Sequence, residues 1–227
     1  FLMPLIVLEG LDGAGKSTQL DLVRRHVEAQ GRECEYLHFP RFDTPVYGEL
    51  IARFLRGELG GINTVDPYIV ALLFAGDRAD AAKTIRGWLS HGKYVLLDRY
   101  VGSNVAYQCA KLGVEDERER LREWIMSLEY VHNEIPRPDV SLFLDVPFEF
   151  TERSLRTHRC GNDRDYLNGG EDIHESSLAF QHSVREMYMR MAAVGDVTIV
   201  DCRDADDGMC APHEVFSRIL TQANGIL

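Results

Sequence analysis

A glycine-rich segment near the N-terminus has the residue types and the spacing that bind a phosphate chain. It reads Gly10-Leu-Asp-Gly-Ala-Gly-Lys16-Ser17-Thr18, and it directly follows an apolar run that ends at Glu9. Glycines let the backbone turn its N–H groups toward one phosphate chain, and the following helix adds its positive N-terminal end. Lys16 can reach the outer phosphates and Ser17 can bind Mg²⁺. The segment therefore predicts a P-loop, with an ordinary glycine-rich turn as the alternative.

Asp98 and Arg99 are charged residues that follow a second apolar run, Tyr94–Leu97. A carboxylate at the carboxyl end of a central parallel strand lies beside the P-loop, where ligands of open α/β sheets bind. An arginine at this place can form two parallel hydrogen bonds to a phosphate. The alternative for Arg99 is an ion pair at the protein surface.

Two further pairs of residues can share a helix face in such a pocket. Phe74 and Arg78 are four residues apart, which suits a ring that stacks on a nucleobase and a guanidinium that bonds its carbonyl edge. Asn104 and Tyr107 follow Asp98 closely and can face the same pocket. The residues alone leave other interpretations open: Phe74 in the core with Arg78 solvated, a helix cap for Asn104, and core packing for Tyr107.

A long polar segment, residues 159–171, separates two predicted helices, and we interpret it as part of a mobile lid over about residues 153–172. Four arginines precede it or lie within it: Arg153, Arg156, Arg159 and Arg164. Negative charge develops on a phosphoryl group during transfer, and an arginine carried by a closing lid neutralises that charge. We expect at least one of them to be catalytic, and a solvated surface is the alternative.

The elements that position these residues alternate along the chain. Apolar runs indicate strands at Leu5–Leu8, Tyr94–Leu97, Val140–Val146 and Val197–Val200, with a weaker one at Glu35–Phe39. Helical patterns follow the P-loop as far as Gly31 and then cover Val46–Leu55, Pro67–Ser90, Asn104–Leu112, Glu117–Val131, Pro147–Arg159, Ile173–Ala193 and Pro212–Ala223. This alternation predicts a single α/β domain over residues 1–227, with a five-stranded parallel sheet flanked by helices.

The composition excludes some classes of partner. Lys and Arg total 25 and Asp and Glu total 36, a net charge of −11, which argues against nucleic acid because that partner needs a basic face. No apolar run approaches the ~20 residues of a membrane span, and the N-terminus has no signal-peptide pattern. The five cysteines are scattered without metal-ligand spacing. We therefore expect reduced thiols, a cytoplasmic location and no membrane partner.

Together these motifs resemble the thymidylate kinase family. The similarity rests on Glu9–Thr18, His38-Phe-Pro-Arg41, Leu73–Arg78, Leu97–Tyr107, Pro136–Asp139 and Leu144–Val146, and it extends from about Leu5 to Leu220. It implies a P-loop NTPase fold with a mobile lid, and transfer of the ATP γ-phosphate to dTMP to give dTDP, with Mg²⁺ as cofactor. We also expect a homodimer, whose face could lie on the predicted helices Pro67–Ser90 or Asn104–Leu112.

The resemblance also implies roles for the matched residues. Phe74 stacks on thymine and Arg78 bonds its carbonyl, while Arg41 and Arg99 hold the nucleotide phosphate. Asn104 and Tyr107 border the deoxyribose, and Tyr107 crowds out a 2′-hydroxyl. The expected catalytic residues are Lys16, Asp98, Arg99, Arg156, Arg159 and Arg164. The expected ATP-binding residues are Gly10, Leu11, Asp12, Gly13, Ala14, Gly15, Lys16, Ser17, Thr18 and Arg153. The expected substrate-binding residues are Asp12, Phe39, Arg41, Phe74, Arg78, Arg99, Asn104, Tyr107 and Glu175, and the expected metal ligands are Asp12, Ser17 and Glu175.

Two positions depart from the family pattern. Some members carry an arginine inside the P-loop where this chain has Gly13, so the resemblance points to the subclass that supplies its arginine from the lid. An aromatic residue often precedes the glutamate that follows the lid, and here that position is His174. This departure leaves open whether a second ring lies over the base.

Two other functions remain as alternatives. A deoxynucleoside kinase, which phosphorylates a free hydroxyl of thymidine, needs a carboxylate base after the second strand. This chain has His38-Phe-Pro-Arg41 there, which offers a cation for a phosphate instead. A non-catalytic nucleotide-binding module would bind ATP and form no dTDP.

Overall fold

The computed structural model of the protein describes residues 3–156, 167, 172–174, 177–223 and 225–227. Five strands form one parallel sheet in the order β2-β3-β1-β4-β5. Their bounds are β1 Leu5–Gly10, β2 Cys34–His38, β3 Tyr94–Asp98, β4 Val140–Asp145 and β5 Thr198–Asp201. The predicted five-stranded parallel sheet is confirmed. Its central strand β1 is buried along its whole length, as expected of a strand covered on both faces.

Helices connect these strands within the described residues. Their bounds are α1 Lys16–Ala29, α2 Tyr47–Leu55, α3 Pro67–Ser90, α4 Val101–Cys109, α5 Glu115–Ser127, α6 Phe148–Arg156, α7 Leu178–Ala193 and α8 Pro212–Gln222. A π-helical turn, Leu128–His132, continues α5. None of the helices in these ranges is long and apolar enough to cross a membrane.

Three helix starts differ from the sequence prediction by two residues or more. Helix α4 begins at Val101, three residues before Asn104, so that Asn104 lies inside the helix and does not cap it. Helix α5 begins at Glu115, two residues earlier than predicted. Helix α7 begins at Leu178 because the Ser177 side chain accepts a hydrogen bond from the Phe180 N–H and caps it.

The two faces of β1 pack into separate layers. Leu5 and Val7 belong to a core that includes residues of α3, α4 and α7, whereas Ile6 and Leu8 belong to a core built with α1 and α8. Alternate side chains of a strand point to opposite faces, so four consecutive apolar residues serve both layers. Each fully buried side chain of this size contributes about 1.5–3 kcal/mol to folding. This double burial fixes β1, and with it the start of the P-loop.

Candidate active site

A cavity of about 610 Å³ opens at the carboxyl ends of β1, β2 and β3, the edge where parallel sheets bind ligands. Its lining includes residues 12–18 of the P-loop, so it brings the glycine-rich segment together with residues from the ends of two other strands. The other lining residues are His38, Phe39, Pro40, Phe42, Leu55, Phe74, Arg78, Asp98, Arg99, Tyr100, Ser103, Asn104, Tyr107, Gln108, Phe150, Arg153, Ser154, Asp172 and His174.

The P-loop has the backbone that its glycines permit. Gly13 and Gly15 both have φ near +79°, a conformation that residues with a Cβ rarely adopt. Gly15 is the N-cap of α1, so the first N–H groups of that helix face the cavity with their partial positive charge. Lys16 is the first residue of α1 and is buried. Burial lowers the pKa of its ammonium group, and the nearby Arg99 acts in the same direction, against Asp98.

Asp98 ends β3 beside the Lys16 ammonium group. Its Oδ1 lies 3.8 Å from the Lys16 Nζ, and its Oδ2 lies 3.3 Å from the His38 Nδ1. Burial opposes the charge of Asp98, but Lys16 and His38 together hold the pKa of the carboxyl below its usual value. The Oδ1 atom has no hydrogen-bond donor among the described residues, so an ionised oxygen beside the P-loop is available to a ligand.

Arg99 is held in a strained backbone conformation next to Asp98. Its φ is +66°, which costs about 1–3 kcal/mol in a residue other than glycine. Its Nη2 donates to Asp12 Oδ1 at 2.7 Å, and its Nη1 donates to the Ser103 hydroxyl at 3.0 Å. Burial opposes the charge, but Tyr107 and Asp12 raise the pKa of the guanidinium, so that it stays cationic. Arg99 is therefore a buried, oriented cation at the cavity and not a surface ion pair.

The Asp12 carboxylate connects the P-loop to two helices. Besides Arg99, it accepts hydrogen bonds from the Tyr107 hydroxyl at 2.8 Å and from the Gln181 amide at 3.3 Å. Gln181 lies on α7 and is fully buried, and the sequence analysis did not single it out. A polar residue at an apolar position of a predicted helix is the one signal that could have indicated it. These donors occupy Asp12, so it serves first as an anchor for Arg99 and Tyr107.

Glu9 is a second carboxylate that sequence analysis did not assign to the site. It is fully buried, and it accepts hydrogen bonds from the Ser103 hydroxyl at 2.6 Å and the Tyr188 hydroxyl at 2.9 Å. It also accepts from the backbone N–H groups of Tyr100 and Ser103 at the start of α4. Because Ser103 bonds Arg99, Glu9 positions Arg99 through one intermediate. A charged residue within an apolar strand was the available signal.

A second group of lining residues, called here the second end of the cavity, lies on α3 and α4. Arg78 on α3 is only 2% exposed, so it is not solvated, and its guanidinium is paired with Glu129 of the π-helical turn. Burial opposes the charge, but Glu129 raises the pKa of Arg78. Asn104 on α4 is buried, and its Nδ2 donates to Ala71 O and to Glu129 Oε1, both at 3.0 Å. Glu129 was missed in the sequence, where nothing in its neighbourhood marks it.

Rings surround this second end. Phe74 is half-buried against a small apolar cluster of α2 and α3 that includes Phe54, and Phe39 is 2% exposed. The His174 ring lies 5.2 Å from the Tyr107 ring and 5.5 Å from the Phe54 ring, between centroids. Burial, with the Lys111 charge, holds the pKa of His174 well below its usual value. His174 is therefore a neutral ring in an aromatic wall, at the position that departs from the family pattern.

Some predicted site residues lie elsewhere. Arg41 is not among the lining residues: its Nε and Nη2 donate to Asp77 Oδ1 and Asp80 Oδ2 at 2.8 and 2.7 Å. Gly10 and Leu11 are also not among the lining residues, and a Cβ at Gly10 would lie 3.2 Å from the Ala14 Cβ. Arg153, in contrast, is an exposed residue of α6 that lines the cavity.

The remaining predictions concern residues outside those that the structure describes. They are the predictions for Arg159, Arg164 and Glu175, for the side chain of Arg156 and for most of the lid.

Known proteins resemble this chain over most of its length. The sequence model of the family described as "Thymidylate kinase" matches residues 8–206. The thymidylate kinase of Mycobacterium tuberculosis is 34% identical over 191 residues, 84% of this chain and 86% of that protein. A probable thymidylate kinase of Thermococcus kodakarensis is 35% identical over 192 residues, 82% of this chain and 83% of that protein. The solved structure of thymidylate kinase from Candida albicans matches with a TM-score of 0.71 and 25% identity, covering 98% of this chain and 91% of that one.

Proposed function

We propose that the cavity is where this chain, which belongs to the thymidylate kinase family, transfers a phosphoryl group from ATP to dTMP. The chain is an ATP:dTMP phosphotransferase, and dTDP is the product. The observation that carries the assignment of the site is that one cavity collects two different groups of residues, called here its two ends. One end presents the P-loop, Lys16 and Arg99, and the other presents Phe74, Arg78 and Asn104.

The second end has the donors and acceptors that the thymine edge requires. Asn104 uses its Nδ2 on Ala71 and Glu129, while its Oδ1 has no donor among the described residues. Thymine has an N3–H donor beside its C4 carbonyl. We assign Asn104 Oδ1 as the acceptor for N3–H and the Arg78 guanidinium as the donor to the carbonyl, with the ring of Phe74 against the base. This moves Asn104 from the sugar, where the resemblance placed it, to the base.

The first end supplies oriented cations for two anionic groups. The phosphate of dTMP has a second pKa near 6, so it is already a nucleophile at neutral pH and needs no protein base. Catalysis then consists of aligning the two phosphate groups and neutralising the charge that develops between them. Lys16 and the N-terminus of α1 face the ATP phosphates in this assignment. Arg99 binds the acceptor phosphate, and Asp12 and Ser103 hold its guanidinium in place.

The residues at the P-loop fit a Mg²⁺ ion. The Ser17 hydroxyl lines the cavity, and the buried Asp98 Oδ1 has no donor among the described residues. Hydroxyl and carboxylate oxygens are the ligands that Mg²⁺ prefers, and it is bound through few protein groups together with substrate phosphates. Ser17 and Asp98 would hold the ion, and it would supply charge neutralisation to the phosphates. The oxygens of Asp12 are used by Arg99, Tyr107 and Gln181, which makes Asp12 the weaker candidate.

A coupled assay of ADP formation with a panel of acceptors tests the proposal. With ATP and Mg²⁺, we expect turnover with dTMP and none with thymidine, because thymidine brings no phosphate to Arg99. Turnover with thymidine would favour the deoxynucleoside kinase instead. ATP binding without ADP formation for any acceptor would favour the non-catalytic module.

We also propose a homodimer and a cytoplasmic location. Ile69 and Leu72 lie three residues apart on α3, on one helix face, and are 60% and 49% exposed, which favours a second copy as the cover. The four cysteines in the described part of the chain are free thiols, which suits a reducing compartment. Sedimentation of the wild-type chain against Ile69→Lys tests the dimer: we expect the variant to be monomeric, and an unchanged mass would place the interface elsewhere.

A further inference from the structure

Glu129 is a fully buried carboxylate behind the base end of the cavity. It lies on the π-helical turn Leu128–His132 and has no exposed surface. Two side chains of the cavity lining, Arg78 and Asn104, reach it from different helices. A buried charge without partners is costly, so the position of each partner is tightly linked to that of the carboxylate.

Glu129 holds the Arg78 guanidinium in one orientation. The Arg78 Nε lies 2.9 Å from Oε1 and 3.0 Å from Oε2, and the Arg78 Nη2 also bonds Oε1. These contacts use the Nε–H and one N–H of Nη2, which lie on one edge of the planar group. No described residue accepts a hydrogen bond from Nη1, so its two N–H groups and the second N–H of Nη2 are left as donors for a ligand.

The same carboxylate decides which way the Asn104 amide faces. The amide nitrogen lies 3.0 Å from Glu129 Oε1 and 3.0 Å from Ala71 O. An ionised carboxylate and a backbone carbonyl can only accept hydrogen bonds, so both of them require a donor there. A rotated amide would place its own oxygen against two acceptors. The neighbours therefore fix the assignment of oxygen and nitrogen, and Oδ1 must face away from Glu129, where no described residue donates to it.

We propose that Glu129 is a positioning residue that makes the base end selective for thymine and uracil over cytosine, an inference that rests on the proposed function. Thymine and uracil present an N3–H donor beside a C4 carbonyl acceptor, and this matches one fixed acceptor and one fixed donor. Cytosine presents an N3 acceptor beside a C4 amino donor, the opposite pattern. To bind cytosine, Asn104 would have to rotate its amide, and Glu129 opposes that rotation.

Glu129→Gln tests this role because it keeps nearly the same size but removes the charge and one of the two acceptor oxygens. The glutamine nitrogen faces an Arg78 donor at either carboxylate position, so the variant holds the guanidinium less firmly, and with it the acceptor that fixes the Asn104 amide. The measured quantity is the ratio of kcat/KM for dTMP to kcat/KM for dCMP. We expect this ratio to fall about tenfold or more in the variant, since a polar group left unpaired in a binding site produces discrimination of at least this order.

Asp145→Asn is the matched control. Asp145 is a carboxylate that is 1% exposed and is bonded by Arg185 Nε and Nη2 at 2.6 and 2.7 Å, and it does not line the cavity. This substitution also converts a buried, arginine-paired carboxylate into an amide. We expect it to lower the melting temperature and to leave the dTMP to dCMP ratio unchanged. A purely structural role for Glu129 predicts the same behaviour for Glu129→Gln.

Three results would overturn the inference, and each leaves the proposed function standing. The first is an unchanged ratio in a folded Glu129→Gln protein. The second is an unchanged ratio in Glu129→Asp, which keeps the charge but withdraws the carboxylate by one methylene group from Arg78 and Asn104; we expect a smaller loss of selectivity there. The third needs no variant: equal kcat/KM for dCMP and dTMP in the wild-type protein. Absence of dTMP phosphorylation in the wild-type protein would instead refute the proposed function.

Discussion

Removing the Arg99 side chain is the most direct test of the phosphate end. Its guanidinium is the one that Asp12 and Ser103 orient, at 2.7 and 3.0 Å, and an oriented donor to developing charge is worth about 100-fold or more in rate. We expect Arg99→Ala to lower kcat by at least ~100-fold, which is about 2.7 kcal/mol of transition-state stabilisation. Arg99→Lys keeps the charge without the forked geometry, so it is expected to recover only part of this loss.

The same substitution should have a modest effect on stability. Asp12 loses its charged partner but keeps the Tyr107 hydroxyl and the Gln181 amide as donors. The expected cost is therefore about 1–3 kcal/mol of the free energy of unfolding. For a chain of this size each kcal/mol lowers the melting temperature by about 2–4 °C, so the variant should remain folded at the assay temperature.

Steady-state kinetics and a thermal melt together decide the result. Arg185→Ala is the control, since it removes an arginine that pairs with the buried Asp145 and does not line the cavity. It should lower the melting temperature and leave kcat within a few-fold. If Arg99→Ala kept kcat within about tenfold of the wild type, or if both variants lost kcat equally, the assignment of Arg99 to the reacting phosphates would be wrong.

Three further outcomes are expected. Lys16→Ala should lower turnover at least ~100-fold, because it removes the cation beside the ATP phosphates; near-normal turnover would exclude that role. Arg78→Ala should raise the KM for dTMP far more than the KM for ATP, and equal effects on the two would contradict base recognition. His174 is held neutral by burial, with a pKa well below the usual value, whereas the unfolded chain takes up a proton below about pH 6.5. The free energy of unfolding should therefore decrease as the pH is lowered from about 7 to about 5. The melting temperature of His174→Phe should decrease less over this range, and an identical pH dependence in the two proteins would mean that His174 is not the group responsible.

The sheet and the P-loop could be predicted from local patterns. Buried parallel strands appear as apolar runs, and the P-loop needs glycines and a lysine at fixed spacing within nine residues. Asp98 and Arg99 follow from the same logic, because the end of a buried strand is a defined place in an α/β sheet. Each of these features depends on interactions within a short stretch of chain or on a repeated pattern.

Element ends were predicted less well, for local reasons that the apolar periodicity does not contain. Ser177 caps α7 and moves its start to Leu178, while the predicted helix at Asn104 begins three residues earlier, at Val101. That shift matters for the site, because it places Asn104 inside α4 with its amide between Ala71 and Glu129.

The amino-acid sequence by itself determined the sheet, the P-loop and many of the cations and rings that line the cavity. Only the tertiary structure decided what holds those groups in place: Glu129 bonds Arg78 across 51 positions, Gln181 bonds Asp12 across 169, and Tyr188 bonds Glu9 across 179. Such partners carry no local signature, because a hydrogen bond between distant residues exists only once the helices have packed on the sheet. The sequence specifies which residues can do the chemistry, and packing specifies the orientation in which they present it.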